Sequence, residues 1–163
     1  MDAFIRLIAD FLVPVIALIG AYALLFLLPK KANRLQVYAR VIMAGLTALL
    51  IAKLVAAIYQ PDAARPFVQM GVEAKAAYLD NAGFPSDHVL FTTAIALAVL
   101  FETRKKSVAY VLFALVALVA VGRILALVHT PLDVAGGFVF ACFGALWYLT
   151  NKKVLLKKAQ KIK

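Results

Sequence analysis

Five stretches of the chain, 11–29, 41–59, about 86–101, 108–128 and 132–149, are almost free of charged side chains. A helix that crosses a bilayer needs roughly 20 such residues, within a range of about 17–25. Four stretches meet that length and the third is short. The apolar excess has nowhere else to go. Of the 163 residues, 65% are hydrophobic, against roughly 45–50% in an ordinary soluble domain. One core built from a chain of this size is too small to hide that surface from water. A soluble globular enzyme and a disordered chain are both excluded on these grounds. The predicted fold class is an all-α integral membrane bundle of five transmembrane helices, with residues 1–163 forming a single membrane-embedded domain. The lone cysteine, Cys142, excludes an intrachain disulfide framework and a multi-cysteine metal cluster.

The charge is unusual for so apolar a chain: 18 Lys and Arg against eight Asp and Glu give +10. Nucleic-acid binding would need a soluble basic face, and the charges do not lie that way. Lys30, Lys31, Arg34 and Arg40 separate the first two stretches, and Arg104, Lys105 and Lys106 separate the third and fourth. Lys152, Lys153, Lys157, Lys158, Lys161 and Lys163 follow the fifth. In a five-span topology these segments share one side and hold thirteen of the 18 positive charges. Seven of the eight acids fall on the other side, Glu102 being the exception. The positive-inside rule makes the basic side cytoplasmic, the N-terminus outside and the C-terminus inside. The expected location is the cell membrane, multi-pass. Asp2, Arg6 and Asp10 ahead of the first stretch do not form the positive leader of a cleaved signal peptide, so a retained helix is expected. The lysines of the tail, 151–163, are expected to meet anionic lipid headgroups. Trp147 and Tyr148 stand where interfacial anchors often do.

Topology leaves a few polar residues unexplained, and they gather on the outer side. The only two histidines are His88, within Phe84-Pro85-Ser86-Asp87-His88, and His129, six residues after Arg123 and four before Asp133. The long outer connection, 60–85, adds Arg65-Pro66. A connection of that length is usually functional or disordered. A phosphoryl group in transfer needs cationic clamps, a nucleophile and a proton donor. Two imidazoles, two guanidiniums, a hydroxyl and a carboxylate can supply them.

These residues resemble the three motifs of the type 2 phosphatidic acid phosphatase superfamily, the metal-independent lipid phosphatases: Lys-x6-Arg-Pro, Pro-Ser-Gly-His and Ser-Arg-x5-His-x3-Asp. Arg123, His129 and Asp133 keep both spacings of the third motif, with Gly122 where serine is usual. The second motif matches with Asp87 in place of glycine, a variant similar to the bacterial undecaprenyl-diphosphate phosphatase branch. The first matches at Arg65-Pro66 only, for Ile58 stands seven residues before Arg65 and the nearest lysine, Lys53, stands twelve before it. The resemblance covers about 50–145, the expected catalytic core.

The resemblance implies that His129 attacks phosphorus to form a phosphohistidine, that Asp133 orients its ring, and that His88 protonates the leaving oxygen and then activates water. It implies phosphate binding by Arg65, Arg123, Ser86 and Asp87, with Lys53 as a further cation. No cofactor and no metal are implied. The substrate class implied is a lipid phosphate or diphosphate, with undecaprenyl diphosphate first. A phospholipid monoester phosphatase and a lipid phosphotransferase are the enzyme alternatives. A small channel or transporter, or an inactive relative, are the alternatives of another class. Some of these residues also have local structural readings. Ser86 suits the N-cap of the third helix, and Thr130-Pro131-Leu132-Asp133 suits a capping-box start. Arg123 and His129 share a site only if their helix ends or bends between them, because six helical residues turn about 240° over about 9 Å. Lys53 either snorkels outward to the site or pairs within the bundle. Asp87 either tunes His88 or repels competing headgroups.

Overall fold

The computed structural model describes residues 2–61, 64–81, 83–103 and 105–149, and every regular element among them is helical. Helix α1 spans Asp2–Phe26, α2 Arg34–Ile58, α3 Asp87–Glu102, α4 Lys106–Leu125 and α5 Pro131–Leu149. All but α3 are long and apolar enough to cross a membrane. Large apolar side chains such as Leu18, Leu35, Ile42 and Tyr110 point outward, as on a surface that faces lipid rather than water. The chain is an integral membrane protein. The basic tail, 151–163, and Arg104 lie outside the described residues.

Helix α3 is the hub. It packs on α5, α4 and α1, and α2 leans on it lightly while packing chiefly on α5. Eight of its 16 residues are buried: Val89, Leu90, Thr92, Thr93, Ala96, Leu97, Ala98 and Val99. At about 1.5 Å per residue it is about 24 Å long, short of a hydrocarbon core of about 30 Å. Its surroundings are mostly protein, so its sequence carries small and hydroxylated residues instead of a lipid-facing profile. Helix α2 meets α5 along a stripe of small residues, Ala44 and Ala48, and at Gly144 any side chain would collide with the Ala44 carbonyl.

The boundaries depart from the hydropathy reading most at the first helix. It starts at Asp2, nine residues before the apolar stretch, and carries a π-helical turn over Leu7–Phe11. Asp10 is tolerated there because its charge is paired across the bundle, as described below. Helix α2 begins at Arg34 behind Asn33, whose side chain accepts from Gln36 N at 3.3 Å. Tyr148 is buried and stacks on Phe101 with ring centroids 5.4 Å apart, so it is a packed residue and not an interfacial anchor.

The two ends of the bundle differ in chemistry. At the end bearing Arg40 and Glu102, these two side chains form a double hydrogen bond of 2.7 and 2.8 Å, which gives the acid that charge sorting left unexplained its partner. At the opposite end, the connection after α2 folds back as a cap. Its single helical turn, Pro66–Gln69, brings Phe67 into a small core with Ile5, Ala9, Ala76, Ala126 and Val128.

Candidate active site

Helix α4 stops at Leu125, and Leu127 takes φ 59°, the left-handed region. That conformation costs a non-glycine residue roughly 1–2 kcal/mol, and the cap supports it. Phe67 N donates to the Leu127 carbonyl at 3.0 Å and Lys75 N to Ala126 at 3.2 Å. Arg65 Nη1 donates to the Val128 carbonyl at 2.6 Å. The turn breaks the helical register between Arg123 and His129, which meets the condition for the two to share a site.

Helix α5 opens with a capping box: Thr130 Oγ1 accepts from Asp133 N at 3.2 Å, and Asp133 Oδ2 accepts from Thr130 N at 2.7 Å. Pro131 fills the first helical position. The same Asp133 oxygen lies 3.5 Å from His129 Nδ1, too long for a well-made hydrogen bond but close enough to fix the ring's neighbour. The capping role and the histidine contact therefore coexist in one carboxylate. The second motif is tied to this turn by Ser86 N, which donates to the Asp133 carbonyl at 2.9 Å. Close approach of α5 to the start of α3 requires Gly137, where a Cβ would lie 2.5 Å from the Ser86 carbonyl oxygen.

These connections bring Lys53, Arg65, Asp87, His88, Arg123 and His129 around one polar cavity of about 50 Å³. That volume exceeds the roughly 10–15 Å³ needed to hold one water, so the cavity admits a small polar group. Residues from α2, α3, α4 and both connections meet there, although the chain separates Lys53 from His129 by 76 positions.

Arg123 is only 1% exposed. Its Nη1 donates to Asp10 Oδ1 at 2.7 Å, and the other Asp10 oxygen accepts from Ala77 N at 2.9 Å. Sequence reasoning missed Asp10, counting it only as an outer-side acid. Only the structure, by starting the helix at Asp2, places this carboxylate inside it, where an ionised group needs a partner. Arg65 is held by Leu79 O and Asn81 Oδ1 at 3.1 and 2.9 Å, so Asn81 is a second residue that the sequence did not flag. Lys53 Nζ donates to both Asp87 oxygens at 2.9 Å. The lysine thus pairs within the bundle and lines the cavity as well, and Asp87 is its counter-ion.

Burial lowers the Arg65 pKa, opposed by the Asp133 charge, and a guanidinium stays cationic regardless. Burial also pushes the His129 imidazole below the ordinary histidine range. The Asp133 contact opposes that shift, and the nearby Arg123 and Arg65 charges add to it.

Two of the expected site residues do not line this cavity: Asp133, which stands behind His129, and Ser86. Ser86 is wholly buried. It holds the N-cap position of α3 without a side-chain capping bond, and its Oγ has no hydrogen-bond partner among the described residues. Removing an unpaired buried hydroxyl relieves a desolvation cost. Ser86→Ala is therefore expected to keep the unfolding midpoint at or above the parent value and kcat/KM within about threefold. A larger loss of kcat/KM would place the hydroxyl on the substrate.

The model of the PAP2 superfamily matches residues 35–155. The chain belongs to the PAP2 superfamily. Undecaprenyl-diphosphatase BcrC of Bacillus subtilis (strain 168) is 37% identical over 126 residues, covering 76% of this chain and 63% of that protein. The aligned chain thus spans somewhat less than two thirds of that relative's length. No solved structure gives a significant match. All three superfamily motifs lie within the matched region, whereas α1, with Asp10, lies before it. The geometry accounts for two of the three departures from the superfamily pattern, those at Gly122 and Ile58. At Gly122 a Cβ would lie 2.7 Å from Ala9 N and 2.9 Å from Ala9 Cα, so the backbone of the π-helical turn occupies the space of the usual serine. Ile58 is 87% exposed and turned away, while Lys53, from more than a turn deeper in α2, reaches the cavity.

Proposed function

We propose that the chain is a metal-independent lipid phosphatase that hydrolyses undecaprenyl diphosphate at the outer face of the cell membrane. The observation that carries this reading is the convergence of His88, His129, Arg65 and Arg123 on one small cavity. Superfamily membership and the likeness to an undecaprenyl-diphosphatase support it. In this reading α3 is a fifth span, short because it is sheltered. The basic segments at the Arg40 end are cytoplasmic and the cavity opens outward. The chain acts as one membrane-embedded domain, and its basic tail meets anionic headgroups.

His129 is the nucleophile. Asp133 faces Nδ1, which leaves Nε2 to attack the terminal phosphorus. As the N–P bond forms, the P–O bond to the bridging oxygen breaks, and His88 gives that oxygen a proton. Undecaprenyl phosphate departs. His88 then takes a proton from water, the hydroxide attacks phosphorus, and cleavage of the N–P bond releases inorganic phosphate and neutral His129. Arg65 and Arg123 spread the charge of the transferring group, each with a fork that matches two phosphate oxygens. Both guanidiniums are already held by protein acceptors, so little reorganisation accompanies the reaction. Lys53, paired with Asp87, is a further phosphate contact.

The test is release of inorganic phosphate from undecaprenyl diphosphate by the purified protein in detergent with EDTA present. Release is expected. No release from this or any other lipid phosphate would overturn the reading. Turnover confined to phosphatidic acid or phosphatidylglycerophosphate would replace the substrate and keep the chemistry.

The pH profile follows from the His129 environment. Only the neutral imidazole has the lone pair that attacks, and its pKa is lowered below the ordinary value of about 6.5. The neutral form therefore persists to lower pH than in a free histidine. The limb of kcat/KM assigned to this group is expected to stay flat as pH falls through about 6.5 and to decline only below it. A decline already centred above about 7 would contradict the assignment.

A further inference from the structure

Beside the polar cavity lies a second one of opposite character. It is a groove of about 490 Å³ between α2 and α3, lined by Ile42, Gly45, Leu46, Leu49, Leu90 and Phe91 among others, with Asp87 as its one charged residue. Asp87 also lines the polar cavity, so the two spaces meet at that side chain. The groove exists because α2 turns its small-residue stripe to α5 and leaves the seam with α3 open. Gly45 deepens it, for a Cβ built there meets nothing within 4 Å. From Asp87 to Ala94 the groove follows α3 for seven residues, or about 10 Å along the helix.

We propose that this groove holds the hydrocarbon chain of the substrate, beginning at the unit attached to the phosphates, and that the chain passes from headgroup to bilayer beside the Lys53–Asp87 pair. The inference rests on reading the polar cavity as the phosphate site. A cavity of about 50 Å³ has no room for a chain, so the chain must leave it, and the apolar groove starts where the polar lining ends. Its volume is within the range of about 300–1,000 Å³ usual for ligand pockets. Its lining is almost wholly apolar, which suits an unbranched or prenyl hydrocarbon and rejects a polar one. The Lys53–Asp87 pair, with side chains 50% and 40% exposed, stands at the junction where a charged headgroup joins an apolar tail.

Gly45→Phe fills the groove with a ring for which the protein leaves space. The measured quantity is the ratio of kcat/KM for a long-chain polyprenyl diphosphate to that for a short, water-soluble prenyl diphosphate. Gly45→Phe is expected to lower this ratio at least tenfold. Leu50→Phe, which adds a similar ring at an exposed position of α2 outside the groove, is expected to leave it unchanged. An unchanged ratio in folded Gly45→Phe overturns the proposal. A second measurement needs no variant: a long-chain prenyl diphosphate analogue bearing a diazirine near the headgroup is photolysed on the unmodified protein. Crosslinks are expected on Gly45, Leu46 or Phe91. Crosslinks spread over the lipid-facing surface at Leu50, or confined to α1 and α4, would show a groove filled by bulk lipid and overturn the assignment. Failure of the parent protein to hydrolyse either diphosphate would instead overturn the phosphatase reading, so the two failures are distinct.

Discussion

Replacing His129 by alanine is expected to lower phosphate release by at least about 10⁴-fold, the scale seen when a nucleophilic constellation loses its central member. The bilayer-embedded bundle should survive the change. His129 sits in the connection between α4 and α5, its Nδ1 makes no well-formed hydrogen bond, and the capping box that starts α5 uses Thr130 and Asp133 without it. The change therefore separates chemistry from folding. A purified variant with a parental unfolding midpoint and no turnover is the expected result. Acid-labile phosphate trapped on the parent during turnover, and absent from the variant, would assign the covalent step to this ring. Parental rates in the variant would remove His129 from the reaction.

Asp10→Ala is expected to have the largest effect on stability. It leaves a guanidinium that is 1% exposed without its carboxylate. Breaking a buried pair by removing one partner typically costs about 3–5 kcal/mol, because the remaining charge is uncompensated. The bond from Ala77 N is lost as well, which loosens the cap that carries Arg65. Both arginines then lose part of their support, so kcat/KM should fall by about 10²-fold or more, even where the protein remains folded. The denaturation midpoint in detergent and kcat/KM are the two readouts. Asp10→Asn, which keeps the shape and one acceptor oxygen, should recover part of both. An Asp10→Ala protein as stable and active as its parent would mean that Arg123 does not depend on α1.

Much of the candidate site was legible because the residues that meet in its cavity include rare ones. Two histidines in a chain of 163, each flanked by charge or hydroxyl groups at the ends of apolar stretches, have few innocent explanations. The spacing of Arg123, His129 and Asp133 carries over into geometry because a helix end, a left-handed turn at Leu127 and a capping box convert it directly. Asp10 and Asn81 were not legible in the same way. Their partners lie 113 and 16 residues away, and no local pattern links them. The start of α1 was misplaced for a related reason: hydropathy penalises Asp10 as a free charge, whereas the folded helix holds it as half of a pair. Ser86 fits its motif, yet it is wholly buried and absent from the cavity lining.

The sequence by itself determined that this chain must live in a bilayer, because its apolar surface exceeds what one small core can bury. Its periodic basic segments also divided the polar residues into those that mark topology and those that do not. The tertiary structure decided which charges neutralise one another: Asp10 with Arg123, Asp87 with Lys53, Glu102 with Arg40. Pairing depends on distance between side chains on different helices, and that is set by where small residues let the helices approach. Gly122 against Ala9 brings α1 to the arginine, and Gly137 against Ser86 brings the two histidine-bearing turns together. The open seam at Gly45 is the same effect in reverse, a place where close packing elsewhere leaves room for something that is not protein.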